Sequence, residues 1–192
     1  MRRLVVALVA LVALAGCSTS KDAVAQDQEF QFVAPGGQST ITYDPPSSRG
    51  TVHGIAGESL LRPGTTVGTD DYAGRVVVVN IWGSWCGPCR EEVHDLQAVQ
   101  DQTGDRGVTV LGIDFKDKRD DASDFLTDRA ISYDSIFDPA GRSLAQLHGY
   151  PRNVVPSTIV LDKEHRVAAV FLAQVHFSEL LPLLMRISTE PG

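Results

Sequence analysis

The sequence predicts an α/β domain with a central mixed sheet, helices on both faces and a short N-terminal β extension. Three observations carry that expectation. Val76–Trp82 and Val108–Ile113 are near-continuous apolar runs rich in β-branched residues, the pattern of strands buried on both faces. Between them, from Cys89 to about Gln102, Val93, Leu96 and Val99 recur at helical spacing. From Val76 onward the predicted order is β-α-β-α-β-β-α, which places parallel strands centrally and an antiparallel pair at the end. The 192 residues suit one domain plus an appendage, and 43% hydrophobic with 21% charged residues excludes both a disordered tail and a multi-span membrane protein.

Taken in order, Phe30–Val33 and Ser39–Tyr43 read as short strands around a Pro35-Gly36-Gly37 turn. Asp44–Gly50 is a loop or linker, and Val52–Val67 has room for one or two edge strands. Asp120 or Asp121 is placed to cap a helix that runs through Arg129 with Ala122, Phe125 and Leu126 inward. Asp138–Gly141 is a turn before a short helix near Ser143–Leu147. Thr158–Leu161 and Val167–Leu172 form a hairpin around Asp162–His165. Ser178 is placed to cap a last helix that ends near Ile187, with Pro182 tolerated early in it.

The first residues are for targeting. Arg2 and Arg3 precede an uncharged apolar run, Leu4–Ala15, the layout of a secretory signal. As a helix that run rises only ~18 Å against a ~30 Å hydrocarbon core, too short for a stable span. Its end, Leu14-Ala15-Gly16-Cys17, resembles the bacterial lipobox, in which cleavage precedes the cysteine and its thiol receives diacylglycerol. The expected segmentation is a signal peptide at 1–16, then a lipidated terminus, tether and short β segment at 17–50, then the main domain at 51–190. Ser18–Gln28, polar and small, is the tether. Loss of Arg2 and Arg3 takes the formal charge from −7 to −9, so lipid and not charge must hold the chain at a membrane. An acidic chain with no basic run beyond its start is also a poor partner for nucleic acid.

Three cysteines exclude a disulfide-stapled scaffold. Cys17 stands alone, whereas Cys86 and Cys89 lie three apart where a buried strand hands over to a helix. At a helix start, free N–H groups and the macrodipole favour a thiolate at Cys86. Two cysteines at that spacing can close a disulfide, and thiolate attack with resolution by the neighbour is the expected chemistry. Pro88 suits a first-turn position.

The run Val79-Asn80-Ile81-Trp82-Gly83-Ser84-Trp85-Cys86-Gly87-Pro88-Cys89-Arg90-Glu91-Glu92 resembles the thioredoxin superfamily, and within it the extracytoplasmic branch typified by TlpA, ResA and the cytochrome c maturation reductases. The likeness covers about Val52 to Met185. Its second motif is Val155-Pro156-Ser157-Thr158, whose proline in that family follows a cis peptide and lies against the active disulfide, where it binds the partner's backbone. Asp114-Phe115-Lys116-Asp117 is similar to a segment of the cytochrome c maturation reductases. The resemblance implies a thioredoxin-like fold, catalysis by Cys86 and Cys89, client contact by Trp85, Val155 and Pro156, and no cofactor. Ordinary thioredoxins keep a buried aspartate where this chain has Asn80. The resembling branch shares that asparagine and has a glutamate three residues after the second cysteine, here Glu92, placed to move a proton or tune a thiol. His94 stands where the family commonly has a helix-kinking proline.

Plainer readings hold elsewhere. Trp82 is packing or partial cover. His53, His148, His165 and His176 are scattered surface or loop residues, and Asp114, Asp120 and Asp121 are loop or cap acids. The implied activity is membrane-anchored reduction of client disulfides outside the cytoplasm, apocytochrome c among the clients, with electrons from a CcdA- or DsbD-like membrane donor. A DsbA-like oxidase uses the same residues. A thioredoxin-fold copper chaperone is the alternative of a different class, although such proteins often separate their cysteines by three residues and add a distal histidine. Here the separation is two residues, with no further ligand in view.

Overall fold

The computed structural model describes residues 28–33 and 36–191. The expected signal peptide, Cys17 with its lipobox-like run, and the expected tether up to Asp27 lie outside the described residues, as does Pro35 of the expected first turn.

A six-stranded sheet forms the centre. Val76–Trp82 (β4) pairs in parallel with Val108–Asp114 (β5) and antiparallel with Ser157–Leu161 (β7). Ser135–Phe137 (β6) extends the sheet in parallel beyond β5. Val167–Phe171 (β8) and then Thr40–Thr42 (β1) extend it antiparallel beyond β7. The strand order is therefore β1-β8-β7-β4-β5-β6. Ala56–Glu58 (β2) and Thr66–Gly68 (β3) make a separate hairpin, which meets β6 through the Ser59–Ile136 bridge. The fold is thioredoxin-like, with a mixed sheet and an N-terminal β extension.

All seven residues of β4 are buried, which is why its sequence shows no polar alternation. Val76, Val78 and Trp82 join one apolar cluster, while Val77, Val79 and Ile81 join another on the opposite face. Three helices fill the first cluster: Gly87–Thr103 (α1), Arg119–Asp128 (α2) and Phe177–Ser188 (α3). They contribute Val93, Leu96 and Val99, then Ala122, Phe125 and Leu126, then Leu180, Leu184 and Ile187. The two parallel crossovers, β4-α1-β5 and β5-α2-β6, advance the same way across the sheet and so lay both helices on one face. Helical cover is unequal. The second face is closed by Phe30, Phe32, Ile41, Val67 and the 3-10 turn Ser143–Gln146 with Leu144.

Four details differ from expectation. Phe30–Val33 does not pair with Ser39–Tyr43: the Phe30 N–H donates to the Thr51 carbonyl at 2.9 Å and the Phe32 N–H to the His148 carbonyl at 2.8 Å. These bonds let both rings turn inward, while β1 takes the open edge of β8. Strand β6 was not foreseen, because three residues are too few to show a period. Asp120 and Asp121 do not cap α2. They lie in its first turn, where they face the positive end of the helix dipole. In α3 the N-cap is His176, whose N–H is held by Glu179 at 3.1 Å, and Ser178 is inside the helix.

The Asp44–Gly50 segment is more than a linker. The Arg49 guanidinium is fully buried and meets Asp162 at 2.9 Å, Glu190 at 2.6 Å and Asp44 at 3.1 Å, besides the Tyr43 carbonyl at 3.0 Å. Strand β7 ends beside the start of β4, so this cluster closes the sheet at the end opposite the cysteines.

Candidate active site

Strand β4 carries the chain to Trp82, a turn follows, and α1 begins at Gly87. Cys86 is the N-cap of that helix. Its own N–H donates to the Gly83 carbonyl at 3.1 Å, closing the turn, and its Sγ accepts the Cys89 N–H at 3.2 Å. Gly87 and Pro88 occupy the first two helical positions, where a missing N–H costs nothing. Cys86 and Cys89 form a disulfide, with Cα atoms 5.3 Å apart, and are only 3% and 2% exposed. A strand-to-helix handover of this kind holds both sulfurs at the positive end of α1.

The turn is gripped from the segment after β5. The Ser84 N–H donates to Asp117 Oδ2 at 2.6 Å, and Trp85 Nε1 donates to the Phe115 carbonyl at 3.0 Å. A side chain at Gly83 would run into the Trp85 indole, so this position demands glycine. Trp85 remains 53% exposed, an unusual state for a large aromatic ring. Phe115, whose carbonyl holds the indole, also lines an open cleft of about 630 Å³ together with Lys116, Gly141, Tyr150, Arg152 and Asn153. Val155 is half-buried and Pro156 buried, and the peptide between them is cis. The Ile81–Ser157 register sets Pro156 beside Trp82, at the strand end that leads into the Cys86 turn.

Glu92 is fully buried, one turn beyond Cys89 on α1. Its Oε1 accepts from Asn80 Nδ2 at 2.9 Å and its Oε2 from the Val175 N–H at 3.0 Å. Asn80 Nδ2 also reaches Thr158 Oγ1 at 3.1 Å, so the asparagine joins β4, β7 and α1 in one polar contact. Burial pushes the Glu92 carboxyl up to about 7, against the opposing effect of the Val175 and Asn80 hydrogen bonds. A group half-protonated near neutrality suits proton transfer. His94 is exposed on α1, and His176 meets Asp95 at 3.2 Å on the surface near Glu92.

Asp114 was missed. It is no loop acid: it ends β5, is completely buried, and burial followed by the nearby Asp117 pushes its carboxyl up to about 8. Its position at the end of an apolar run and the likeness of Asp114–Asp117 to a segment of the resembling family were the sequence signals. Among the described residues, no group of three or more His, Cys, Asp or Glu side chains is placed to hold a metal ion.

Comparison with known proteins decides the family. Residues 46–184 match the Redoxin family, well over half of the chain. The chain belongs to the redoxin family. Residues 1–18 match the prokaryotic membrane lipoprotein lipid attachment site. The thiol:disulfide interchange protein DsbE of Allochromatium vinosum is 31% identical over 132 residues, 66% of this chain and 70% of that protein. The structure of a secreted thiol-disulfide isomerase from Corynebacterium glutamicum matches with a TM-score of 0.81 at 43% identity, covering 84% of this chain and 98% of that one. A DsbF homologue from Corynebacterium diphtheriae matches with a TM-score of 0.78 at 46% identity, over 83% and 99% of the two chains. The present redoxin is thus a thiol-disulfide oxidoreductase of DsbE type with a lipoprotein attachment motif at its start.

Proposed function

We propose that this redoxin is a membrane-anchored reductase that works outside the cytoplasm and reduces disulfides in client proteins. The observation that carries the reading is the Cys86–Cys89 disulfide at the start of α1, with Glu92 buried one turn further along the same helix. Residues 1–16 are the removed signal peptide, and Cys17 carries the lipid. Residues 17–50 are the tether and short β segment, and 51–190 the catalytic domain. A second acyl chain at the new terminus gives the two-chain anchoring that stable attachment needs.

In the reducing direction the Cys86 thiolate attacks one sulfur of a client disulfide. That bond breaks, the other client sulfur leaves as a thiolate, and a Cys86–client mixed disulfide forms. Cys89 then gives its proton to the Glu92 carboxylate and attacks Cys86 Sγ. The second client thiolate leaves, two electrons have passed to the client, and the Cys86–Cys89 disulfide is restored. Trp85 presents an exposed aromatic face to the client, and Val155 with Pro156 offers backbone beside it. The clients fit the cytochrome c maturation type, with apocytochrome c among them. A CcdA- or DsbD-like membrane protein resets the dithiol.

The Corynebacterium relative is described as an isomerase, which favours a second reading: net oxidation or shuffling of client disulfides by the same residues. The reduction potential of the Cys86–Cys89 couple separates the two. A value near ~−270 mV supports the reductase, and one near ~−120 mV sinks it in favour of an oxidant. Cys89→Ser is expected to trap clients as mixed disulfides on Cys86. A trap that captures no protein from the cell envelope would count against direct exchange. The copper chaperone has no third ligand among the described residues, and copper that stays bound under mild thiol competition is the result that would revive it.

A further inference from the structure

Asp114 has no part in the exchange steps above, yet it lies beside them. It ends β5 in register with Trp82 on one side and Phe137 on the other, next to the strand end from which the Cys86 turn departs. Neither of its carboxyl oxygens has a hydrogen-bond donor among the described residues, and its side chain is fully buried. A buried carboxylate with no donor is costly, and a proton removes the cost. Once protonated, the group becomes a donor itself. Its neighbour Asp117, three residues on, raises its carboxyl by charge and as the acceptor open to it once it carries a proton. Two bare carboxylates cannot bond to each other, so this contact exists only with a proton between them.

Asp117 is already committed to the redox turn. Its Oδ2 accepts the Ser84 N–H at 2.6 Å and its Oδ1 accepts the Lys118 N–H at 2.8 Å, at the start of α2. Ser84 lies inside the turn closed by Cys86 and Gly83, and the carbonyl of Phe115, next after Asp114, holds the Trp85 indole. The segment Asp114–Asp117 therefore grips the turn at two points.

We propose that Asp114 is a positioning residue for the redox turn, donating a hydrogen bond to Asp117 and so fixing the oxygen that holds the Ser84 N–H. The charged groups that act on it are Asp117 and Asp138, which disfavour its ionisation, and Arg119, which favours it. When Asp114 loses its proton, two carboxylates face each other and the grip on Ser84 loosens. Glu92 is a separate device: it lies on the β7 side of β4 and both of its oxygens already have donors, from Asn80 and Val175. The role of Asp114 rests on the exchange chemistry above only in its kinetic consequence, since positioning of the turn is readable in the disulfide form.

The test uses oxidised protein, in which neither cysteine titrates, carrying Glu92→Gln to remove the other carboxyl that burial pushes up toward neutrality. Tryptophan fluorescence, which reports Trp82 and Trp85 beside the turn, is expected to show one transition centred near the value of about 8 assigned to Asp114. Adding Asp114→Asn, which keeps a donor toward Asp117, is expected to abolish the transition and preserve the low-pH spectrum. Asp117→Asn removes the opposing charge and is expected to move the transition to lower pH. If Asp114→Asn fails to fold, the Asp117→Asn displacement still decides. No transition between about pH 6.5 and 9.5, or one unmoved by both variants, overturns the proposal. Reduction of a disulfide client by the wild type is measured in parallel. Its failure would sink the reductase reading and leave the fluorescence result standing on its own.

Discussion

Arg49 and Glu92 are both ionisable and both buried, and they lie toward opposite ends of the central sheet. Around Arg49 the fold gathers counter-charges: Asp162, Glu190 and Asp44 all meet its guanidinium. Burial alone would work against that charge, but the hydrogen bonds it donates to Glu190 and Asp162 more than restore it. Glu92 receives only neutral donors, the Asn80 amide and the Val175 N–H, and burial prevails. The difference separates a tie from a proton site. A buried charge answered by opposite charges stays charged and holds segments together. A buried carboxyl answered by neutral dipoles stays near its midpoint and can exchange a proton.

The largest effect expected from breaking this contrast is on the Arg49 side. Arg49→Ala leaves Asp162, only 2% exposed, with Arg166 as its remaining cation. The expected loss is about 3 kcal/mol of unfolding free energy, as for other buried pairs stripped of one partner. Urea unfolding at pH 7 measures it. A loss no larger than that of an exposed pair would show that the cluster is not a tie.

The pH dependence of stability sharpens the contrast, because the two ends have opposite signs. Glu92 is raised in the folded state from 4.5 to about 7, so its contribution is full below the lower value and is lost as pH rises through the higher one. The decline is on the order of 3 kcal/mol. Asp44 behaves the other way: although burial opposes it, hydrogen bonds from Arg186 and Arg49 hold its carboxyl below the usual range. Its contribution is present at neutral pH and lost on acidification. Glu92→Gln is therefore expected to reduce the fall in urea midpoint between about pH 5 and 8 and to leave the acid limb in place. An unchanged fall would remove Glu92 from the account.

In catalysis the same variant is expected to slow client reduction by about 10²-fold near neutrality, the usual scale for loss of a general base. Its rate profile should lose the inflection that Glu92 supplies. A stopped-flow profile across that range reads both, and a full rate with an intact inflection would leave Glu92 a structural acid. The smallest effect belongs to Asp95, which raises Glu92 through space from the protein surface. Asp95→Asn should shift the inflection slightly to lower pH with little change in stability, as surface pairs contribute little. A shift upward would contradict the sign of that interaction.

Much of the fold is local in origin and legible for that reason. The seven buried residues of β4 announce themselves by an unbroken apolar run, and Val93, Leu96 and Val99 by their helical period. The pairing of Cys86 with Cys89 needs only a helix start and a spacing of three. Strand β6 was not legible, since Ser135–Phe137 is a strand only because the edge of β5 accepts it. The helix caps were misplaced because several acids and hydroxyls stood near each start, and spacing alone could not choose among them.

The sequence by itself determined the strand that leads to the disulfide, the helix that begins there, the dithiol and the acid three residues beyond it. Those features depend on neighbours within one or two turns of chain. Only the tertiary structure decided which ionisable groups are buried and what answers them. Arg49 finds Asp162 and Glu190 at separations of 113 and 141 residues, and Asp114 is buried by the strands that flank β5. Desolvation and counter-charge are properties of what packs around a group. No periodicity in the chain records them, and they separate a structural tie at Arg49 from proton-bearing carboxyls at Glu92 and Asp114.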